Sequence, residues 1–211
     1  MSLLLTCFAL AAIGVYNFRS YKISIYLAAT QALFLVAFFY ALALSYDAAP
    51  LKHWAVVAFF VKVLLVPALL FYLVKKMKVE FEDEPTGGFL LNPLIAVALS
   101  LGSAGILTPI LQEFGLIKFD FGIFVALFVF SLGICAFMLR NSLVKHILAY
   151  CLFENGIHLL LALNAYNAHS LVEVAILTDA VFAVVILALI AKKFHTAFVS
   201  TDISEASNLR G

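Results

Sequence analysis

Residues 142–193 read SLVKHILAYCLFENGIHLLLALNAYNAHSLVEVAILTDAVFAVVILALIAKK. Two apolar, helix-length runs are joined by a polar turn at residues 164–169. Each run carries an acid near its middle, Glu154 in the first and Asp179 in the second. A charge at the centre of a bilayer costs about 2.5–3.5 kcal/mol on insertion scales. Two acids at matching depth therefore need a reason, and the rest of the chain reads as their housing.

The chain has 211 residues, of which 65% are hydrophobic and 12% charged, with a mean hydropathy of +1.13. A soluble chain averages about 25% charged residues. The apolar runs are continuous and do not alternate, which predicts an all-α polytopic membrane protein and excludes a β-barrel. The net charge of +1 says nothing about nucleic acid, but the sequence has no basic patch or aromatic–basic interleaving, so nucleic acid is not expected as a partner. The opening MSLLLTCFALAAIGVYNF lacks a basic n-region, so it reads as a retained first span in contact with lipid. Cys7, Cys135 and Cys151 all lie in apolar runs, with no C-x-x-C or metal-ligand spacing, and read as small core residues. No cofactor or metal is expected on this chain. Phosphate-binding glycine loops, H-E-x-x-H and G-x-S-x-G are absent from the sequence, so the chain is not expected to be an enzyme alone.

A span needs about 20 predominantly apolar residues. Seven stretches qualify, at about 2–18, 23–45, 54–74, 89–111, 121–139, 142–164 and 170–191, the first being short. The longest connection, KKMKVEFEDEPTGG at residues 75–88, is charged and reads as solvated surface. Basic residues set the orientation. Arg19, Lys22, Lys75, Lys76, Lys78, Arg140, Lys145, Lys192, Lys193 and Arg210 fall on one side, against Lys52 and Lys118 on the other. Ten against two places the N-terminus outside and the C-terminus in the cytoplasm.

Four ionisable groups sit within spans. Lys62 lies near the middle of the third, in FFVKVLLVPALLF, and joins Glu154 and Asp179 as a deep charge. Glu173 lies about one turn inside the outer end of the seventh span and reads as interfacial. The plain reading of the deep three is a structural ion pair. One lysine cannot neutralise two acids, however, and a carboxyl balanced between burial and a nearby cation can exchange protons near neutral pH. In the sixth span His146, Tyr150, Glu154 and His158 recur every fourth residue, which sets them on one helical stripe, with Asn155 beside the acid. Such groups relay protons, although polar side chains also hold helices together. Pro67 removes a helix hydrogen bond to the carbonyl of Val63 and predicts a kink beside Lys62. Gly102, Ser103, Ala104 and Gly105 form a small-residue face suited to close helix packing.

RNSLVKHILAYCLFENGIHLLLAL at residues 140–163 and LVEVAILTDAVFAVVILALIAKK at 171–193, with VKVLLVP at 61–67, resemble the component E family of hydrogenase-4. Its members are membrane subunits of formate hydrogenlyase-type group 4 [NiFe] hydrogenases. The last three spans also resemble the K subunit of respiratory complex I and the C subunit of multisubunit cation/proton antiporters. In the K subunit, acids on two neighbouring helices belong to a charged axis through the membrane arm. Glu154 matches the first and Asp179 is the best match to the second, though it is Asp where that subunit has Glu. The resemblance divides the chain into a four-span module (1–111), a three-span module (112–193) and a polar cytoplasmic tail (194–211). It implies antiporter-like and anchor membrane subunits as partners, and indirectly a peripheral arm carrying the [NiFe] site and iron–sulfur clusters. It also implies residence in the bacterial cytoplasmic (inner) membrane.

Three functions compete. The chain is a non-redox membrane-arm subunit whose charges contribute to proton or sodium translocation coupled to hydrogen evolution. Alternatively it is a scaffold joining the antiporter-like subunits to the hydrogenase anchor. The third reading, a free-standing secondary transporter, lacks the inverted repeat and paired broken helices of that class.

Overall fold

The computed structural model describes residues 1–83, 85, 88–113, 119–164, 170–198 and 200–204, with the side chains of residues 170–180 outside that description. The elements are α1 (Ser2–Asn17), α2 (Tyr21–Ser45), α3 (Ala49–Ala58), α4 (Val66–Met77), α5 (Gly88–Glu113), α6 (Asp120–Leu139), α7 (Leu143–Asn164) and α8 (Ser170–Phe198). A π-helical segment, Phe59–Leu65, joins α3 to α4, so that Ala49–Met77 runs as a single span. Six of the described helices are long and apolar enough to cross a membrane, and the protein is an all-α polytopic membrane protein. The predicted first span is α1, whose 16 residues reach only about 24 Å.

Local chemistry sets the breaks. Asp47 takes a positive φ of 48° in the turn after α2, and Pro50 stands in the first turn of α3, where its missing N–H costs nothing. Lys78 closes α4 in the left-handed conformation, at φ 57°. In the middle of the third span Pro67 has no N–H to offer. The backbone widens instead of only bending, and the N–H of Val66 reaches back five residues to the carbonyl of Val61.

α6 and α7 form the tightest pair. A Cβ added to Gly133 would lie 2.5 Å from the backbone nitrogen of Phe153, and one added to Gly156 would lie 2.5 Å from that of Phe130. The two glycines thus let the backbones touch at reciprocal points, while the Phe130 and Phe153 rings pack beside them, tilted, at a centroid distance of 4.8 Å. The predicted small-residue face on α5 does not do this. Gly102 and Gly105 meet nothing within 4 Å, and of that group only Ala104 is fully buried. α5 is largely exposed, with Leu90, Leu94, Leu99 and Ile106 on its open face, as a lipid-facing helix is.

α2 and α7 run side by side in the same direction, joined by three polar rungs. The Tyr21 hydroxyl meets Ser142 Oγ at 2.8 Å, Lys145 Nζ donates to Ser24 Oγ at 2.9 Å, and Asn155 Nδ2 donates to Gln31 Oε1 at 3.1 Å. The start of both helices defines one end of the bundle, which also holds the tail at residues 200–203. The turn between α2 and α3 defines the other.

The tail end corrects the reading of residues 75–88 as solvated surface. Phe81 bridges to Ser20, the Glu82 N–H donates to the Arg19 carbonyl at 3.0 Å, and the Glu82 side chain is buried. Its carboxylate accepts from Arg140 Nη1 at 2.8 Å, and Arg140 Nη2 donates to the Tyr16 carbonyl at 2.7 Å. Burial pushes the Glu82 carboxyl above the usual carboxylate range, against the pull of Lys145 and Arg140. Exposed Glu80 behaves oppositely, because its hydrogen bond to Lys22 holds it below that range. Lys145 Nζ caps the end of α1 through the carbonyls of Val15 and Phe18 at 3.0 and 2.6 Å. A cation at a helix C-terminus also meets the negative end of the dipole. Arg140 and Lys145 enter the sequence reading only as flanking charges, yet both are buried anchors. Lys118 and Arg210 lie outside the described residues.

Candidate functional site

The π segment points Lys62 inward at mid-span, where it is 6% exposed. Its Nζ lies 2.8 Å from Glu154 Oε1 and donates to Asn155 Oδ1, also at 2.8 Å. Asn155 in turn donates to Gln31, so α2, the π segment and α7 are tied at one level. The contact with Glu154 is a buried ion pair at hydrogen-bonding distance. An unpaired buried charge costs several kcal/mol, which makes the two ions obligatory partners at this depth.

His158, one turn beyond Glu154, is fully buried, with Nδ1 3.4 Å from the same Oε1. Its ring meets the edge of Trp54 at a centroid distance of 5.7 Å. A cavity of about 20 Å³ borders Lys62, Glu154 and Asn155, walled by Ala28, Ala32 and Pro67. One water needs about 10–15 Å³ by the same measure, so this space admits a single molecule against the ion pair. The larger groove of about 330 Å³ between α2 and α3 is lined by Leu33, Val36, Tyr40 and Val56 and offers no polar group.

Of the residues singled out from sequence, Lys62, Glu154, Asn155 and His158 come together. His146 does not join them. Its Nε2 meets the Arg140 carbonyl at 2.8 Å, at the tail end of α7. Tyr150 lies between the two groups, half-buried against the core. The side chains of Glu173 and Asp179 lie outside the described residues, while the α8 backbone packs against α3, α4 and α7. Gln31 and Trp54 belong to the site and were missed by the reading of the sequence. Gln31 was signalled, as the one amide in the apolar run of α2; Trp54 reads as an interfacial aromatic and gives no such signal. Among the described residues no group of three His, Cys, Asp or Glu side chains is placed to hold a metal. Cys135 and Cys151 are buried and Cys7 half-buried, all as free thiols.

Residues 121–211, covering α6 to the tail, match the family NADH-ubiquinone/plastoquinone oxidoreductase chain 4L. Glu154, Asn155 and His158 fall within that match, whereas Lys62 and Gln31 lie before it. No solved structure matches the chain. Hydrogenase-4 component E of Escherichia coli (strain K12) is 33% identical over 202 residues, which cover 96% of this chain and 93% of that protein. The protein of the same description from Shigella flexneri matches equally. Identity at this level, extending over almost the whole of both chains, means that this chain belongs to the hydrogenase-4 component E family.

Proposed function

We propose that the chain is a non-redox membrane-arm subunit of a formate hydrogenlyase-type [NiFe] hydrogenase, and that its buried charges take part in moving protons or sodium as hydrogen evolves. The observation that carries this reading is the Lys62–Glu154 pair with its second acceptor, Asn155. When Glu154 takes up a proton it loses its attraction for Lys62, and the ammonium keeps Asn155 as a partner. When the carboxylate forms again, Lys62 is already within 2.8 Å of it. Lys62 therefore keeps a hydrogen-bond acceptor in both protonation states of Glu154, which softens the cost of losing its counter-ion.

Lys62 comes from the four-span part and Glu154 from the three-span part, so the ion pair is one of the polar contacts through which a change in one part reaches the other. Asp179, on α8, is the second acid of the pathway in this reading, with Glu173, Tyr150 and His146 as outlying members. The excess of basic residues at the tail end supports a reading with that end in the cytoplasm of a bacterial cell and the α2–α3 turn outside. Antiporter-like and anchor membrane subunits are the expected neighbours, and the [NiFe] and iron–sulfur centres sit on other chains of the complex.

The test is hydrogen evolution and ion movement in inverted membrane vesicles containing Glu154→Gln. An assembled complex that evolves hydrogen without moving ions is expected. Loss of the complex itself would favour the scaffold reading.

A further inference from the structure

A concavity of about 480 Å³ opens between α2 and α4 at the tail end of the bundle, with Lys22, Phe71, Val74, Lys75, Lys78 and Glu80 among its walls. Sites for small organic ligands occupy about 300–1,000 Å³. Lys22 lies in the first turn of α2, Lys75 in the last turn of α4, and Lys78 in the left-handed turn that follows. The three ammonium groups therefore stand where two apolar spans end, at the level of lipid head groups. Lys22 Nζ meets Glu80 Oε1 at 2.8 Å, but the side chains are 57% and 62% exposed, and such pairs hold weakly. Among the described residues neither Lys75 nor Lys78 has an ion-pair partner. Three ammonium groups against one carboxylate leave the groove with two positive charges.

Below the lysines the walls turn apolar. Phe71, Lys75 and Lys78 share one face of α4, and Lys22 and Tyr26 stand one turn apart on α2. The Tyr26 and Phe71 rings touch across the groove at a centroid distance of 4.7 Å, and Tyr26 is exposed. Leu33 lies further along the same face of α2, where the apolar groove between α2 and α3 begins. From Lys22 to Leu33 the helix rises about 16 Å. Half of a hydrocarbon core about 30 Å thick is close to that. The opposite end of the bundle is unlike this one, for Lys52 there is paired with Asp47 at 3.2 Å.

We propose that this groove binds an anionic phospholipid. Lys75 and Lys78 donate to its phosphodiester oxygens, Lys22 turns from Glu80 to join them, and an acyl chain follows Tyr26 and Phe71 toward Leu33. A free phosphate would use the lysines and leave the aromatic walls bare. A zwitterionic lipid would bring a further ammonium group into a groove that is already positive. An acidic segment of a neighbouring subunit matches the charge but has no use for the apolar run down to Leu33. The site is independent of ion handling at Glu154, and it stands whether the Lys62–Glu154 pair moves protons or only ties helices.

The experiment is a map of the intact complex in nanodiscs of phosphatidylethanolamine with and without cardiolipin, whose two phosphodiesters match the two positive charges. The unaltered complex is compared with Lys75→Gln combined with Lys78→Gln, and with Lys52→Gln at the other end as control. Head-group density within hydrogen-bond distance of Lys75 and Lys78 is expected only where cardiolipin is present. Each lysine removed near a membrane surface weakens binding about fivefold, so the double variant should need roughly 25-fold more cardiolipin for equal occupancy. Lys52→Gln should leave the density unchanged. An empty groove in the unaltered complex with cardiolipin overturns the proposal, as does equal filling by phosphatidylethanolamine alone. A side chain of a neighbouring subunit seated between the lysines overturns it too, as does density that survives undiminished in the double variant. The maps of the unaltered complex decide the matter even where the double variant does not assemble.

Discussion

Lys62 Nζ lies 2.8 Å from Glu154 Oε1, and the two side chains reach that contact from a π-helical turn and from the middle of a regular α-helix. The π turn is what the third span offers the site. Pro67 removes one donor five residues after Lys62, the ladder widens, and the lysine is presented within the bundle.

The pair predicts an asymmetry between single and double changes. Lys62→Met leaves Glu154 buried without its cation and should cost about 3–5 kcal/mol, seen as a lower yield of complex on blue-native gels. Lys62→Met with Glu154→Leu removes both charges and should recover most of that yield, without recovering ion movement. A double variant that moves ions normally would mean that the charges serve only to hold helices.

The reciprocal glycines predict where α6 and α7 are intolerant. Gly133→Ala and Gly156→Ala each drive a Cβ against the facing backbone and should destabilise by about 1–3 kcal/mol, lowering the melting temperature of the purified protein. Gly102→Ala has open space and should be neutral or slightly stabilising, since alanine is the better helix former. Equal behaviour at the three sites would contradict the close approach.

The tail-end lock predicts a change in loop protection. Arg140→Met leaves the Glu82 carboxyl buried without its partner and should release residues 78–83 from Arg19 and Tyr21. Limited trypsin digestion should then cut faster after Lys78. Glu82→Gln keeps an acceptor for Arg140, and its loop should be cut more slowly than that of Arg140→Met.

The proline makes a fourth prediction. Pro67→Ala restores an N–H that can meet the carbonyl of Val63, favouring regular helix over the π turn. Lys62 should then turn away from Glu154. Ion movement should fall, complex abundance should drop in the direction expected for Lys62→Met, and a map of the variant should place Lys62 Nζ beyond ion-pair distance of Glu154.

The helical membrane architecture was legible because continuous apolar runs have one structural solution in lipid, and Lys62 and Glu154 were legible because charges at mid-span have no cheap place to go. Asn155 and His158 followed from their spacing around Glu154. Two features escaped for a common reason. Arg140, Lys145 and Glu82 look like ordinary flanking charges in sequence, and only the pairing of residues 80–82 with the α1–α2 turn brings Glu82 into a buried lock with them. Gly102 and Gly105 have the motif for close packing, yet Gly133 and Gly156 have the contact. Small residues permit an approach without specifying the partner. His146 shares the four-residue spacing with Glu154 but spends its Nε2 on a carbonyl at the helix start, which periodicity alone does not foretell.

The most direct test compares ion movement and hydrogen evolution in inverted vesicles for the unaltered complex, Glu154→Gln and Asp179→Asn, with complex abundance measured on the same samples. The account predicts that Glu154→Gln assembles and evolves hydrogen while ion movement is lost. Undiminished ion movement in a fully assembled Glu154→Gln complex would contradict it.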